Sequence, residues 1–149
     1  MTEDKNYEAL RRFDLLDAPG HLLRRNHQRS YEIFARCVGD DLTRQQVAIL
    51  IALAQQPGAS QRSLVEATGI DKSTAREMID RMVARGWIER SRDPDDSRAW
   101  AMRLTPACIG MLSERLPDIV EAQNQILAPL APNDRKIFLK YLRILIGAD

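Results

Sequence analysis

Residues 72–76, Lys-Ser-Thr-Ala-Arg, set an ammonium, two hydroxyls and a guanidinium close together at what reads as the start of a helix. All of these groups donate hydrogen bonds, and none is a general base at neutral pH. That set suits phosphate oxygens and the acceptor edges of bases better than proton transfer. A second stretch, "DPDDSRAW" at 93–100, gathers Asp93, Asp95 and Asp96 around Arg98. It reads as a solvated hairpin tip, a metal loop or a contact to a charged partner. A calcium loop would need a glycine and a closing glutamate, and both are missing. A third cluster, His21, Arg24, Arg25, His27 and Arg29, concentrates positive charge near the start of another helix. Arginines there suit a carboxylate or a phosphate, or else form a solvated face with i,i+4 pairs. The two histidines are six positions apart, which puts them on different faces and argues against a metal pair.

Chemistry of other kinds finds few residues to carry it. There is no nucleophile elbow, no phosphate-binding glycine loop and no His-carboxylate pair at a sensible spacing, so an enzyme is not expected. Cys37 and Cys108 are far apart, with neither a zinc pattern nor a disulfide framework. No cofactor is expected. The first residues, "MTEDKNYEAL", hold no apolar targeting core, and no apolar run is long enough to span a membrane. A cytoplasmic protein with no membrane partner is the expectation.

The elements that must position these residues are mostly helical. Of 149 residues, 44% are hydrophobic and 29% charged, an ordinary balance for one domain or two small lobes. Residues 1–19 read as a docking arm or a first short helix, broken by Pro19-Gly20. Residues 21–38 form a helix with Leu23, His27, Ser30, Phe34 and Cys37 on one stripe. Thr43 caps a nearly all-apolar helix at 44–56, ended by Pro57-Gly58. Ser60 caps a short helix at 61–68, whose exposed side carries Gln61 and Arg62; Gly69 ends it. Asp71 caps the next, 72–86, with Ala75, Met78, Ile79, Met82 and Val83 inward and Lys72, Ser73, Arg76, Glu77, Asp80, Arg81 and Arg85 outward.

The period then drops to two. Residues 87–92 and 99–104 alternate apolar and polar positions and predict a β-hairpin. Trp87 is expected to anchor this hairpin to the preceding helix and Trp100 to pack on it. Thr105-Pro106 opens a long helix running to about Leu130, with a kink expected at Pro117. A last helix from Pro132 carries Ile137, Phe138, Leu139, Tyr141, Leu142, Ile144, Leu145 and Ile146 on most of its faces. Such a helix needs cover, either inside a monomer core or, the preferred reading, in a homodimer interface.

The order short helix, glycine turn, longer helix, hairpin is that of a winged helix. In such a unit the second helix enters the major groove with its N-terminal residues toward the bases. With "TGIDKSTAREMIDRMVARGWIERSRDPDDSRAWAMRLTPAC" (68–108) as its most specific part, the chain resembles the MarR family of transcription regulators over nearly its whole length. The family's Asp-x-Arg signature at the wing is met by Asp96-Ser97-Arg98, and its strand-end Leu-Thr by Leu104-Thr105. The resemblance implies a mainly α fold with a small β-hairpin wing: a winged-helix DNA-binding lobe at 43–105 and a helical dimerisation region at 1–38 and 106–149. It implies a homodimeric regulator, usually a repressor, on a pseudo-palindromic operator in double-stranded DNA. Ser60, Gln61, Arg62, Lys72, Ser73, Thr74, Arg76, Arg81, Asp96 and Arg98 are the expected DNA-binding residues. Glu77 departs from the family's usual pattern and sets an acid near DNA, where it must pair with an arginine or accept from a cytosine amino group.

The start "DAPGHLLRR" also looks like that of relatives tied to aromatic-acid catabolism, some of which answer to a coenzyme A thioester. That implies a small aromatic or acyl-CoA effector, with His21, Arg24, Arg25, His27 and Arg29 as its expected contacts. In the family this pocket usually lies between the two lobes. Residues 60–105 hold nine Lys/Arg against eight Asp/Glu, leaving +1, so non-specific DNA binding should be weak and specificity should rest on a doubled set of contacts. Two other readings stay open: a redox-sensing repressor using Cys37, for which a buried structural thiol is the plainer role, and a helical protein-interaction module without DNA binding.

Overall fold

The computed structural model describes residues 2–148. The chain separates into two compact units: residues 37–121, and the residues up to 36 together with those from 122 onward. Its elements in order are α1 (Thr2–Arg12), a 3-10 turn (Leu15–Asp17), α2 (Pro19–Val38), α3 (Arg44–Gln55), α4 (Gln61–Thr68), α5 (Lys72–Ala84), β1 (Ile88–Arg92), β2 (Trp100–Leu104), α6 (Pro106–Leu127) and α7 (Pro132–Leu145).

In the unit 37–121, α3 is the central helix. Thr43 and Gln46 form a reciprocal capping box at its start, with bonds of 3.2 and 2.9 Å. Val47, Ile49, Leu50 and Leu53 are all buried, as the nearly continuous apolar run requires. Leu42, Leu64, Ile79, Met82, Ile88, Met102, Cys108 and Leu112 complete a core with no buried polar residue among those described. Each fully buried leucine or isoleucine contributes about 1.5–3 kcal/mol of transfer free energy.

Local chemistry sets the turns. The Ser60 hydroxyl accepts the Ser63 amide at 3.1 Å and starts α4. Gly69 ends α4 in the left-handed region at φ 69°, where a side chain would be strained. Asp71 then caps α5 by accepting the Thr74 amide at 3.0 Å. The strands pair antiparallel in the register Ile88↔Leu104, Arg90↔Met102 and Arg92↔Trp100. The α3–α4 loop adds a third rung, since Gly58 N donates to Met102 O at 2.7 Å and Met102 N to Ala59 O at 3.1 Å. Thr105 closes the hairpin base: its hydroxyl donates to Gly86 O at 2.6 Å and accepts the Cys108 amide at 3.2 Å.

In the other unit Ile33, Phe34 and Ala122 are buried. Arg29 donates to the Ile126 and Gln125 carbonyls in the last turn of α6 at 2.9 and 3.2 Å, and the Gln125 carbonyl also accepts the Ala128 amide. Helix α7 has no buried residue, and Ile137, Tyr141, Ile144, Leu145 and Ile146 are half or more exposed or close to it.

Four expectations are corrected. Pro19 does not end a segment but opens α2, because its fixed φ and missing N–H are tolerated in a first helical turn. Before it, the first short helix, one of the two readings of this segment, is present over Thr2–Arg12. Helix α6 stops at Leu127 rather than Leu130, and Pro117 lies inside it. The stripe expected on α2 is only partly a core stripe: Leu23 and His27 are exposed, and the buried residues at its end are Ile33, Phe34 and Val38. Cys37 is half-buried rather than fully so, whereas Cys108 is sealed in the core, where burial pushes its thiol pKa up.

Candidate nucleic-acid interface

The expected DNA-facing residues fall in unit 37–121 on α4, α5 and the hairpin loop. Lys72 and Arg76 are exposed on one side of α5 and, with Gln61, Arg62 and Val65 of α4 and Asp80, Arg90 and Trp100, line a cleft of about 700 Å³. Cationic and amide donors thus surround an open concavity between the helix pair and the hairpin.

The hydroxyls behave differently from the longer side chains. Ser73 Oγ donates to Asp71 Oδ1 at 2.8 Å. The Thr74 hydroxyl is the largest influence holding the Asp71 carboxyl down at about 2, followed by the Thr74 amide and the Ser73 hydroxyl. In this state the two hydroxyls serve the cap. Ser60 likewise serves as the cap of α4, and Gln61 Nε2 donates to Lys72 O at 3.4 Å across the turn. Arg62 pairs with Glu66 at 3.1 Å and Arg81 with Glu77 at 2.5 Å, both along one helix and exposed. Glu77 therefore has the arginine partner that its place on this face demands.

The hairpin loop is built on two aspartate turns. Asp93 Oδ1 accepts the Asp95 amide at 2.8 Å, and Asp96 Oδ1 accepts the Arg98 amide at 2.9 Å. The Asp96 carboxylate thus orders the backbone that carries Arg98 rather than its guanidinium. Asp93 N also donates to Ala99 O at 3.0 Å, closing the loop.

Residues not singled out in the sequence join the site. The side chains of Ile88, Arg90 and Arg92 share one face of the hairpin with Leu104, Met102 and Trp100 opposite them. The base of that face is core, and its tip is Arg92 and Trp100, with Trp100 38% exposed. Arg90 Nη1 donates to Asp80 Oδ1 of α5 at 2.8 Å. The period-two spacing of Arg90 and Arg92 was the available signal; Asp80 was visible only as an outward residue on the helix.

The cluster expected to hold an effector is split. Its residues lie in the unit formed by residues up to 36 and from 122 onward. His27 and Arg29 line a groove of about 670 Å³ with Leu22, Leu23, Phe138 and Tyr141 among its walls. Arg29 holds α6 carbonyls, His21 Nδ1 and Arg24 Nη2 lie 3.4 Å apart, and neither these two nor Arg25 lines that groove. Among the described residues no group of three His, Cys, Asp or Glu is placed to hold a metal.

Comparison with known proteins bears on this arrangement. A model of the MarR family matches residues 40–99. The HTH-type transcriptional repressor NicR of Pseudomonas putida is 32% identical over 92% of this chain and 87% of its own length. The structure resembles that of BpsR from Bordetella bronchiseptica, whose DNA binding is regulated by 6-hydroxynicotinic acid, with a TM-score of 0.87, 33% identity and coverage of 92% of this chain and 99% of that one. It also resembles the PcaV transcriptional regulator of Streptomyces coelicolor in complex with its natural ligand, with a TM-score of 0.86, 34% identity and coverage of 91% and 96%. The chain belongs to the MarR family and is a winged helix-turn-helix, DNA-binding transcription regulator.

Proposed function

We propose that this chain is a homodimeric repressor whose operator affinity falls when it binds a small aromatic acid or its coenzyme A thioester. The observation that carries the reading is the cleft between α5 and the wing, with the exposed Lys72 and Arg76 along its wall. Arg98 joins it from the loop as the wing's groove contact, where a narrow A·T minor groove attracts arginine. Ser60, Gln61, Arg62, Ser73, Thr74, Arg81 and Asp96 support or flank these contacts, with Ser73 and Thr74 exchanging their bonds to Asp71 for bonds to DNA.

A second copy supplies the other half-site. The uncovered apolar face of α7, with Leu10 of α1 and Phe13 just after it, is the surface on which two copies meet. Two recognition helices then enter successive major grooves about 34 Å apart, so an effector acts by changing their spacing. Residues 1–38 and 106–149 serve as the helical dimer-forming region and 43–105 as the winged-helix DNA-binding lobe. An aromatic effector is supported by the similarity to BpsR, whose DNA binding 6-hydroxynicotinic acid regulates. His21, Arg24, Arg25, His27 and Arg29 are the proposed source of its contacts.

Retardation of the protein's own upstream DNA, with and without 6-hydroxynicotinic acid, benzoate, hydroxycinnamates and their coenzyme A esters, tests both parts. A retarded band that one of these compounds releases is expected. No band at low salt removes the repressor reading, and a band that none of them affects removes the effector.

A further inference from the structure

The cleft between α5 and the wing contains a chain of contacts that groove binding by itself does not require. Arg90 is held by Asp80 of α5 at 2.8 Å, and its guanidinium lies 5.3 Å from the centre of the Trp100 ring. The Arg92 guanidinium lies 4.2 Å from the same ring centre, and its Nη1 donates to Ser97 O at 3.2 Å, in the loop that carries Arg98. One indole therefore joins a guanidinium tied to the recognition helix with a guanidinium tied to the tip of the wing. Asp80 offsets one of the two positive charges, and the Ser97 carbonyl accepts from the other.

A two-stranded hairpin is weakly ordered unless something else holds it. Here the base is held by Ile88 and Met102 in the core, while the tip extends beyond it. The angle between the tip and α5 thus depends on what links them outside the core. We propose that Trp100 is a positioning residue for operator recognition, latching the wing to the recognition helix through Arg90 and Asp80 so that Arg98 and the α5 donors reach DNA in one pre-set geometry. The proposal rests on the reading that α5 and the wing dock on the same DNA. Binding to an operator needs both elements in register, so preorganisation raises specific affinity. Binding to arbitrary DNA needs only charge near phosphates, so it does not depend on the latch.

Trp100→Ala leaves every charge in place, and Trp100→Phe keeps an aromatic face for the two guanidiniums. Operator affinity of Trp100→Ala should fall about tenfold or more, while affinity for unrelated DNA of equal length and the salt slope stay within about twofold. Trp100→Phe should restore most of the loss. Asp80→Asn should also weaken operator binding, even though it removes a negative charge from a DNA-facing helix. Melting curves and sedimentation confirm that each variant stays folded and associated as the parent chain does. The latch is overturned if Trp100→Ala binds operator like the parent, if it loses specific and unrelated DNA equally, or if Asp80→Asn tightens both. A parent protein with no preference for its operator overturns the docking reading and the latch with it.

Discussion

Asp96 Oδ1 accepts the backbone N–H of Arg98 at 2.9 Å, so the acid of the Asp-x-Arg pair shapes the chain and leaves the guanidinium to point elsewhere. Any carbonyl-type oxygen at that position can accept the same bond. Asp96→Asn should therefore keep operator affinity, and Asp96→Ala should weaken it although a negative charge is lost. Arg98→Ala should cost about a hundredfold without unfolding the protein, at the upper end for one groove contact. Tighter binding by Asp96→Ala, measured by retardation or fluorescence anisotropy, would show that the acid only repels phosphate.

The Asp71 cap predicts a pH dependence. Its carboxyl pKa lies at about 2, below its ordinary value of 3.8, because the Thr74 hydroxyl and amide and the Ser73 hydroxyl all favour the charged form. The native state thus binds this proton more weakly than the unfolded chain does. The cap's contribution is present in full above about pH 4 and is lost as pH falls toward 2. Asp71→Ala should lower the melting temperature at neutral pH, and its difference from the parent should shrink over that acid range. A difference that stays constant from pH 5 to about 2 would contradict the assignment.

Gly69 separates the two helices of the DNA-binding pair at φ 69°, and a Cβ added there meets nothing within 4 Å. The cost of Gly69→Ala is then conformational, with no clash, and should be about 1–2 kcal/mol in a chemical denaturation curve. Gly110 also has open space but no positive φ, so Gly110→Ala in the interior of α6 should be neutral or stabilising.

The exposed face of α7 predicts an association-deficient variant. Leu145 and Ile144 are 71% and 49% exposed. Placing a charge there, as in Leu145→Asp with Ile144→Asp, should shift the protein to monomer in sedimentation equilibrium and abolish operator retardation. It should leave the core of the 37–121 unit folded, because no residue of α7 belongs to that unit. An unchanged molecular mass would remove α7 from the proposed dimer interface.

Much of this was legible along the chain because it is local. Caps at Thr43, Ser60 and Asp71, the glycine stop at Gly69 and the change of period at Trp87 are each decided by neighbours a few positions away, where residue type and spacing are direct physical signals. The row from Lys72 to Arg76 was visible for the same reason, and so was the apolar excess of the last helix. What only the tertiary structure decided are pairings between residues distant along the chain or free to choose among partners. Arg29 turned to carbonyls 96 and 97 positions away, so an arginine read as an effector contact also closes a helix end. Asp96 chose the amide two residues on over the guanidinium of the same arginine. Asp80, Arg90 and Trp100 met only because the hairpin folds back beside α5, an arrangement set by packing of Ile88 and Met102 into the core and unreadable from any single element.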